Sequence, residues 1–197
     1  MSTKDDIIRL GKKNNGSLTF QKVKREGMHG EYLRLMVKEG SLERTERGQY
    51  ILSDNLPDEM ETIQNRFKRG VFSHESALFL LGFSDRIPPE TVMTFPRKYN
   101  ITSAAESGIK TYRVDEKTFE TGITTARTAF GHDVRVYSIE RTLCDLLRPN
   151  SHTSIEMVTD AFKRYSRSKG KKLPLLLEFA SLFHVEGKVR NYMEVLL

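Results

Sequence analysis

Nine side chains between residues 19 and 47 have the chemistry needed to bind a nucleic-acid duplex. Lysine and arginine neutralise backbone phosphates, whereas histidine, tyrosine and arginine can read the edges of bases. The candidates are Thr19, Lys22, Lys24, His29, Tyr32, Arg34, Lys38, Arg44 and Arg47. His29, Tyr32 and Arg34 are the best placed of these to read bases. A single surface cation is usually just solvated, but so many in one short segment favour DNA contact.

Two short helices are expected to position these side chains. Leu18 and Val23 have the spacing of a hydrophobic staple around Thr19, whose hydroxyl can cap the helix that follows. That helix should end at Gly27, where positive φ is allowed. A second helix is predicted from about His29 to Glu39, with its apolar residues on one face and its polar residues free for contacts.

A hairpin and one preceding helix complete the predicted N-terminal domain. Strands over Leu42 to Thr45 and Gln49 to Leu52 flank a tight turn at residues 46–48. A first helix from Ser2 to about Lys13 would pack behind the helix pair. Helix, glycine turn, helix and basic-tipped hairpin is the layout of a winged helix-turn-helix, which places its second helix in the DNA major groove.

A second group of polar residues lies further along the chain, at Ser73, His74, Glu75, Arg141 and Asp145. Ser73 beside His74 has the residue types of a hydrolase, but no G-x-S-x-G elbow accompanies it. Ser73 is more simply the N-cap of a helix from His74 to Leu81. Arg141 and Asp145 are four residues apart on a predicted helix, where pairing contributes only ~0.3–0.5 kcal/mol.

The run Asp115-Glu116-Lys117 resembles the D-x-K part of a nuclease signature. Three charged residues between short strands are commonly just a turn, and no partner acid can be identified. The sequence has no metal-cage spacing, and we predict no metal, no cofactor and no catalytic residue. A DNA-targeted, metal-dependent nuclease is nevertheless the competing hypothesis from the enzyme class.

The fold class expected is α+β, with the N-terminal winged helix-turn-helix followed by a mixed α/β domain that ends in helices. Residues 1–53 form the DNA-binding domain, residues 54–70 a linker or connecting helix, and residues 71–197 the C-terminal domain. In the latter, short strands are predicted at 91–95, 111–114, 122–130 and 134–136. Ser138 should cap a helix that Pro149 ends, and three helices follow at 155–166, 174–184 and 187–197.

Charge and composition limit the classes of partner. The 197 residues carry 32 lysines and arginines against 26 acids, a net charge of +6. The basic excess lies at the two ends, including the run at residues 163–172, which is either a solvated helix end or a second contact with an anion.

Cys144 is the only cysteine, which excludes an internal disulfide and fits a reducing compartment. No apolar window predicts a signal peptide or membrane span, so we expect a cytoplasmic protein without a membrane partner.

Three segments together resemble the AbiEi family of abortive-infection antitoxins. They are the run from Leu18 through GMHGEYLRLMVKEGSLERTERGQYIL, the segment FSHESALFLLGFSDRIPPETVMTF from Phe72 to Phe95, and VRVYSIERTLCDLLRP from Val134 to Pro149. The winged-helix part alone is weakly specific, because many bacterial regulators share it. The order of the three segments is much more specific, and the likeness covers most of the chain.

The resemblance implies an antitoxin that represses its own operon by binding inverted repeats in double-stranded operator DNA. It also implies a C-terminal domain that counters a nucleotidyltransferase-like toxin without a stable complex, as in type IV systems, so that arrest of the infected cell stops phage spread. Ser73, His74, Glu75, Arg141 and Asp145 are then candidates for an antitoxicity surface. No heptad seam is visible, so no stable dimer is predicted, and we expect a chain that is monomeric in solution or cooperative on DNA.

One departure from the family pattern lies at the start of the second helix. The sequence there is His29-Gly30-Glu31, where relatives carry a small hydroxyl residue followed by basic ones. Glu31 would repel phosphate unless it faces a cytosine amino group or points away. A plainer alternative to the antitoxin is a winged-helix transcription factor that responds to a small ligand in the middle of the chain.

Overall fold

The computed structural model describes residues 3–196 and places them in two compact units. The first unit contains the residues up to Arg66 together with Arg127–Asp133, and the second contains Phe67–Ala126 and the chain from Val134 onward. The described residues form eleven helices and two sheets, so the expected α+β class is confirmed. None of these helices is long and apolar enough to cross a bilayer.

The first unit begins with helices and a small sheet. In chain order its elements are α1 (Thr3–Lys13), β1 (Ser17–Thr19), α2 (Phe20–Arg25), α3 (Glu31–Lys38), β2 (Leu42–Glu46), β3 (Gln49–Leu52) and α4 (Glu59–Arg66). The sheet order is β1-β3-β2, and both neighbouring pairs are antiparallel. The predicted first helix is thus described from Thr3, whereas Ser2 lies outside the described residues.

Local rules explain how α2 forms. The Thr19 hydroxyl accepts a hydrogen bond from the backbone N–H of Lys22 at 3.2 Å, and Leu18 and Val23 are fully buried. The predicted cap is therefore confirmed. A hydrophobic cluster in the core of this unit consists of Ile7, Leu18, Val23, Leu33, Met36, Leu42 and Leu52.

The helix α3 starts two residues later than the sequence pattern indicates. The backbone N–H of Tyr32 bonds the carbonyl of His29 at 3.2 Å, which is the three-residue spacing of a tight turn. His29 and Gly30 therefore lie in a turn, and the α-helix begins at Glu31.

The rest of the chain forms a five-stranded sheet with helices. Its elements are β4 (Val71–Phe72), α5 (His74–Leu80), β5 (Val92–Pro96), α6 (Thr102–Glu106), β6 (Lys110–Val114), α7 (Glu116–Phe119), β7 (Ile123–Arg127), β8 (Asp133–Tyr137), α8 (Ile139–Leu146), α9 (Ile155–Arg167), α10 (Leu173–Leu182) and α11 (Glu186–Leu196). The strand order is β6-β5-β4-β8-β7. Strand β5 runs parallel to β6 and antiparallel to β4, which is parallel to β8.

Helices α5, α8, α9, α10 and α11 share one hydrophobic core in the second unit. Its largest fully buried members include Phe162 and Tyr165. Two of these helices start at serine caps, because the Ser138 hydroxyl accepts from Arg141 N–H and Ser154 from Met157 N–H. The Ser138 cap was expected from the sequence and is confirmed.

One predicted strand is too long. Residues 122–130 were expected to be extended, but β7 ends at Arg127 and a tight turn follows. The Thr128 hydroxyl accepts from the backbone N–H of His132 at 3.1 Å, and Gly131 has φ of 86°. A glycine with positive φ and a side-chain hydrogen bond across the turn stop the strand at this point.

Candidate functional site

Exposed lysines and arginines lie on α2, on α3 and on the β2–β3 hairpin of the first unit. Lys24, Arg34, Lys38, Arg44 and Arg47 are all exposed, and so is the neighbouring His29. The Arg34 side chain is 83% exposed, and its Nε lies 3.5 Å from a carboxylate oxygen of Glu31. These six of the nine predicted residues are thus available to a partner of the first unit.

The other three predicted residues are held by the fold. Thr19 uses its hydroxyl oxygen as the α2 cap, and the Lys22 Nζ donates to Asn14 Oδ1. Tyr32 is partly buried against the core of the first unit. All three side chains make contacts within the fold, and the sequence pattern alone did not distinguish this structural role from a DNA-binding role.

Gly30 explains the unusual sequence at the start of α3. A Cβ atom built on this residue would lie 2.1 Å from the Phe20 ring, so any other residue would force the ring to move. The Phe20 ring is 43% exposed and covers the turn that precedes α3. The glycine at this position therefore lets the aromatic ring approach the backbone closely, and a residue with a side chain would displace the ring.

A buried polar network in the first unit was not predicted from the sequence. One carboxylate oxygen of Asp58 accepts from the Thr128 hydroxyl at 2.5 Å and lies 2.8 Å from His132 Nδ1. The other ring nitrogen of His132 lies 3.2 Å from the carbonyl oxygen of Asn14. Asp58 is 3% exposed and His132 is 8% exposed. No local pattern could indicate this network, because Asp58 and its partners are far apart in sequence.

Arg141 and Asp145 form a buried ion pair in the second unit. Arg141 Nε donates to Asp145 Oδ2 at 2.8 Å, and the two side chains are 0% and 3% exposed. The guanidinium group lies between the rings of Tyr137 and Phe183, at 4.4 and 3.9 Å from their centroids. It also donates to the carbonyl oxygens of two residues before β7, at 2.7 and 3.0 Å. Both residues are thus interior groups, so they do not present an exposed surface.

Ser73, His74 and Glu75 lie at the start of α5 and are also largely covered. Ser73 occupies the N-cap position of α5, but the expected capping hydrogen bond is wrong, because its hydroxyl accepts from no backbone N–H of the helix. The hydroxyl instead accepts from Thr94 Oγ1 at 2.9 Å and lies 3.1 Å from His74 Nδ1. Glu75 accepts from Thr153 at 2.8 Å, and its second carboxylate oxygen is buried without a hydrogen-bond partner.

His74 is held in a strained position. Its φ is 48°, which is uncommon for a residue with a side chain and costs about 1–3 kcal/mol. Its ring stacks on Tyr112 with 3.9 Å between centroids. Burial lowers the pKa of His74, and the nearby carboxylate of Asp145 opposes that shift only in part. The neutral imidazole is therefore the favoured form at neutral pH.

A cavity of about 510 Å³ in the second unit opens beside His74. Its lining includes the ends of β5 and β6 and the segment that follows α8. The lining residues are His74, Thr94, Arg97, Thr111, Tyr112, Arg113, Val114, Asp145, Arg148, Pro149, Asn150 and Ser151. Two of the residues singled out from the sequence, His74 and Asp145, thus face one cavity, although the sequence did not indicate the arginines around them.

The groups considered for the enzyme alternative are dispersed. Asp115 precedes α7 with its side chain 61% exposed, and its carboxylate lies 3.5 Å from Arg97. Within residues 3–196, no cluster of three or more His, Cys, Asp or Glu side chains is placed to hold a metal ion. Cys144 is fully buried, and burial raises the pKa of its thiol to about 12.

Comparison with known proteins identifies a fold but no family. No family model matches the sequence, and no curated protein matches it at a significant level. Among solved structures, the chain is similar to the crystal structure of the RV2827C protein from Mycobacterium tuberculosis, with a TM-score of 0.54 and 15% sequence identity. The alignment covers 92% of this chain and 75% of the mycobacterial chain. At this identity the likeness shows a shared fold only.

Proposed function

We propose that this protein is an antitoxin that represses its own operon through a winged helix-turn-helix in its first unit. The second unit counters a nucleotidyltransferase-like toxin encoded beside it, without forming a stable complex. The part of this proposal that concerns DNA binding is supported by the set of exposed cations on α2, α3 and the β2–β3 hairpin. The antitoxin half depends on the resemblance of the three sequence segments to the AbiEi family.

The order of elements in the first unit supports a winged-helix assignment. Helices α2 and α3 are joined through Gly27, whose φ is 76°, and the β2–β3 hairpin follows directly. In this arrangement α3 enters the major groove, where His29 and Arg34 read base edges, and Arg44 and Arg47 contact the backbone from the hairpin.

Glu31 does not oppose this mode of binding. Its carboxylate lies 3.5 Å from Arg34, so its negative charge is offset by a side chain of the same helix. Among the ion pairs of the described residues, Lys24, Lys38, Arg44 and Arg47 take part in none, which leaves these four cations to neutralise phosphates.

Footprinting of the duplex upstream of the gene tests the DNA-binding half. The full chain should protect inverted repeats at physiological salt, and the double variant Arg34→Ala, Arg47→Ala should lose that protection. Arg190→Ala removes another exposed cation, from α11, and should leave the footprint intact. Random protection, or a footprint that survives the double variant, would contradict the proposal.

Rescue from the toxin tests the second half separately. The gene immediately downstream should encode a nucleotidyltransferase-like protein that arrests growth when expressed alone. Co-expression of the double variant, which cannot bind the operator, should still restore growth, because that activity is assigned to the second unit. Failure of the folded wild-type chain to restore growth would refute the antitoxin role while leaving DNA binding intact.

A transcription factor that responds to a small ligand is the second candidate function. The cavity beside His74 favours it, because its volume of about 510 Å³ lies in the range of small-molecule sites. An isolated gene with no toxin-like neighbour would favour this function over the antitoxin.

A further inference from the structure

The cavity beside His74 has a strongly cationic lining. Arg97 follows β5, Arg113 lies on β6 and Arg148 follows α8, and all three residues line the cavity. Asp145 is the single carboxylate among the described lining residues. Its charge is offset by the buried Arg141, whose Nε donates to it at 2.8 Å. The cavity therefore has an excess of positive charge.

The arginines are partly free to bind a ligand. Among the ion pairs of the described residues, Arg113 takes part in none. Arg97 and Arg148 contact acids at 3.5 Å only, and their side chains are 67% and 40% exposed. A guanidinium group presents a planar fork of donors that matches the oxygens of a phosphate group.

The inner wall of the cavity carries neutral polar groups that are held by close contacts. His74 is stacked on Tyr112 at 3.9 Å, and its strained φ of 48° is maintained by the surrounding fold. The Tyr112 hydroxyl donates to the carbonyl oxygen of Ser151, which fixes the segment after α8 beside β6. Strained, tightly held residues of this kind cluster at ligand sites.

We propose that this cavity binds a nucleotide-sized organic phosphate, with its phosphate group on Arg97, Arg113 and Arg148. The volume of about 510 Å³ exceeds what one phosphate group fills, so the cavity also has room for a sugar and a base. A concave site of this size fits a small molecule and not a folded macromolecule. The inference goes beyond the proposed function and does not depend on it.

Isothermal titration of the full chain with three kinds of probe tests this site. The nucleoside monophosphates AMP, GMP, CMP and UMP should include at least one that binds saturably. The matching nucleoside tests the need for the phosphate and should bind at least about tenfold more weakly, because it lacks the charge-assisted hydrogen bonds. Inorganic phosphate tests the need for the organic part and should also bind more weakly than the nucleotide.

Arg113→Ala should weaken nucleotide binding at least about tenfold, since a hydrogen bond to a charged group is lost. Arg113 is exposed, so this variant should fold, which a thermal melt verifies. Arg190→Ala is the matched control and should bind the nucleotide as the wild type does. The proposal is overturned if no monophosphate binds saturably, if the nucleoside or inorganic phosphate binds equally well, or if Arg113→Ala retains full affinity.

Discussion

The salt dependence of operator binding gives the sharpest test of the first unit. Four of the predicted phosphate-binding side chains are exposed in the structure, namely Lys24, Lys38, Arg44 and Arg47, whereas Arg34 is assigned to base reading. Each phosphate that is neutralised releases counterions, so the logarithm of affinity should fall with the logarithm of salt concentration at about −0.9 per contact. Four contacts per half-site predict a slope of about −3.6.

Arg47→Ala should lessen this slope by about one, to near −2.7, because one phosphate contact is lost. The assay is fluorescence anisotropy with a labelled half-site duplex, at several salt concentrations between about 50 and 200 mM, a range over which such contacts change affinity strongly. Arg190→Ala, the exposed cation on α11, should leave the slope unchanged.

Two results would refute the reasoning. If the wild-type slope is shallower than about −2, most of the exposed cations do not reach phosphates. If Arg47→Ala lowers affinity but keeps the full slope, Arg47 acts through the structure of the hairpin and not through charge.

Four further predictions concern the stability and reactivity of the fold. Gly30→Ala places a Cβ 2.1 Å from the Phe20 ring and should destabilise the chain by about 1–3 kcal/mol in urea denaturation. Asp145→Asn leaves a buried guanidinium without its counter-charge and should cost about 3–5 kcal/mol in the same assay. Native Cys144 should resist thiol reagents at pH 8, because burial raises its pKa to about 12, and should react once the chain is unfolded in urea. Burial lowers the pKa of His74, so below about pH 6.5 the unfolded chain binds a proton that the folded chain does not. The free energy of unfolding should therefore fall as the pH drops, by at most about 1.4 kcal/mol per pH unit. The variant His74→Gln should show a smaller fall.

Each of these predictions has a matched control or a contrary outcome. Gly187→Ala adds a Cβ with nothing within 4 Å and should show no steric loss. A stability loss below about 1 kcal/mol for Asp145→Asn would mean that water reaches the pair. Rapid labelling of native Cys144 would contradict its burial. An unchanged pH profile in His74→Gln would assign the pH dependence to other groups.

Local sequence rules predicted helix caps well where the capping partner is only a few residues away. Thr19 and Ser138 each bond a backbone N–H three residues ahead, so the pattern contains both partners. Ser73 has the same residue type at the same position before a helix, yet its hydroxyl bonds to Thr94 on a neighbouring strand. The difference lies in tertiary contact, which residue type and spacing do not encode.

The candidate site was only partly predictable for the same reason. The spacing of Arg141 and Asp145 indicates a helical pair, but the rings of Tyr137 and Phe183 that bury it come from other elements. Strand β4 has only two residues and pairs with Met93 and Val136. A strand this short has no alternation of apolar and polar residues from which it could be predicted. The three cavity arginines are likewise brought together by the order of strands and helices.

The Asp58 network also has a consequence for the order in which the chain folds during synthesis. Asp58 finds its hydrogen-bonding partners 70 and 74 positions later, at Thr128 and His132. At a synthesis rate of about 5–20 residues per second, that interval corresponds to roughly 3–15 s during which the nascent first unit has a carboxylate without its final partners. The first unit is therefore completed only after the ribosome has translated the segment Arg127–Asp133.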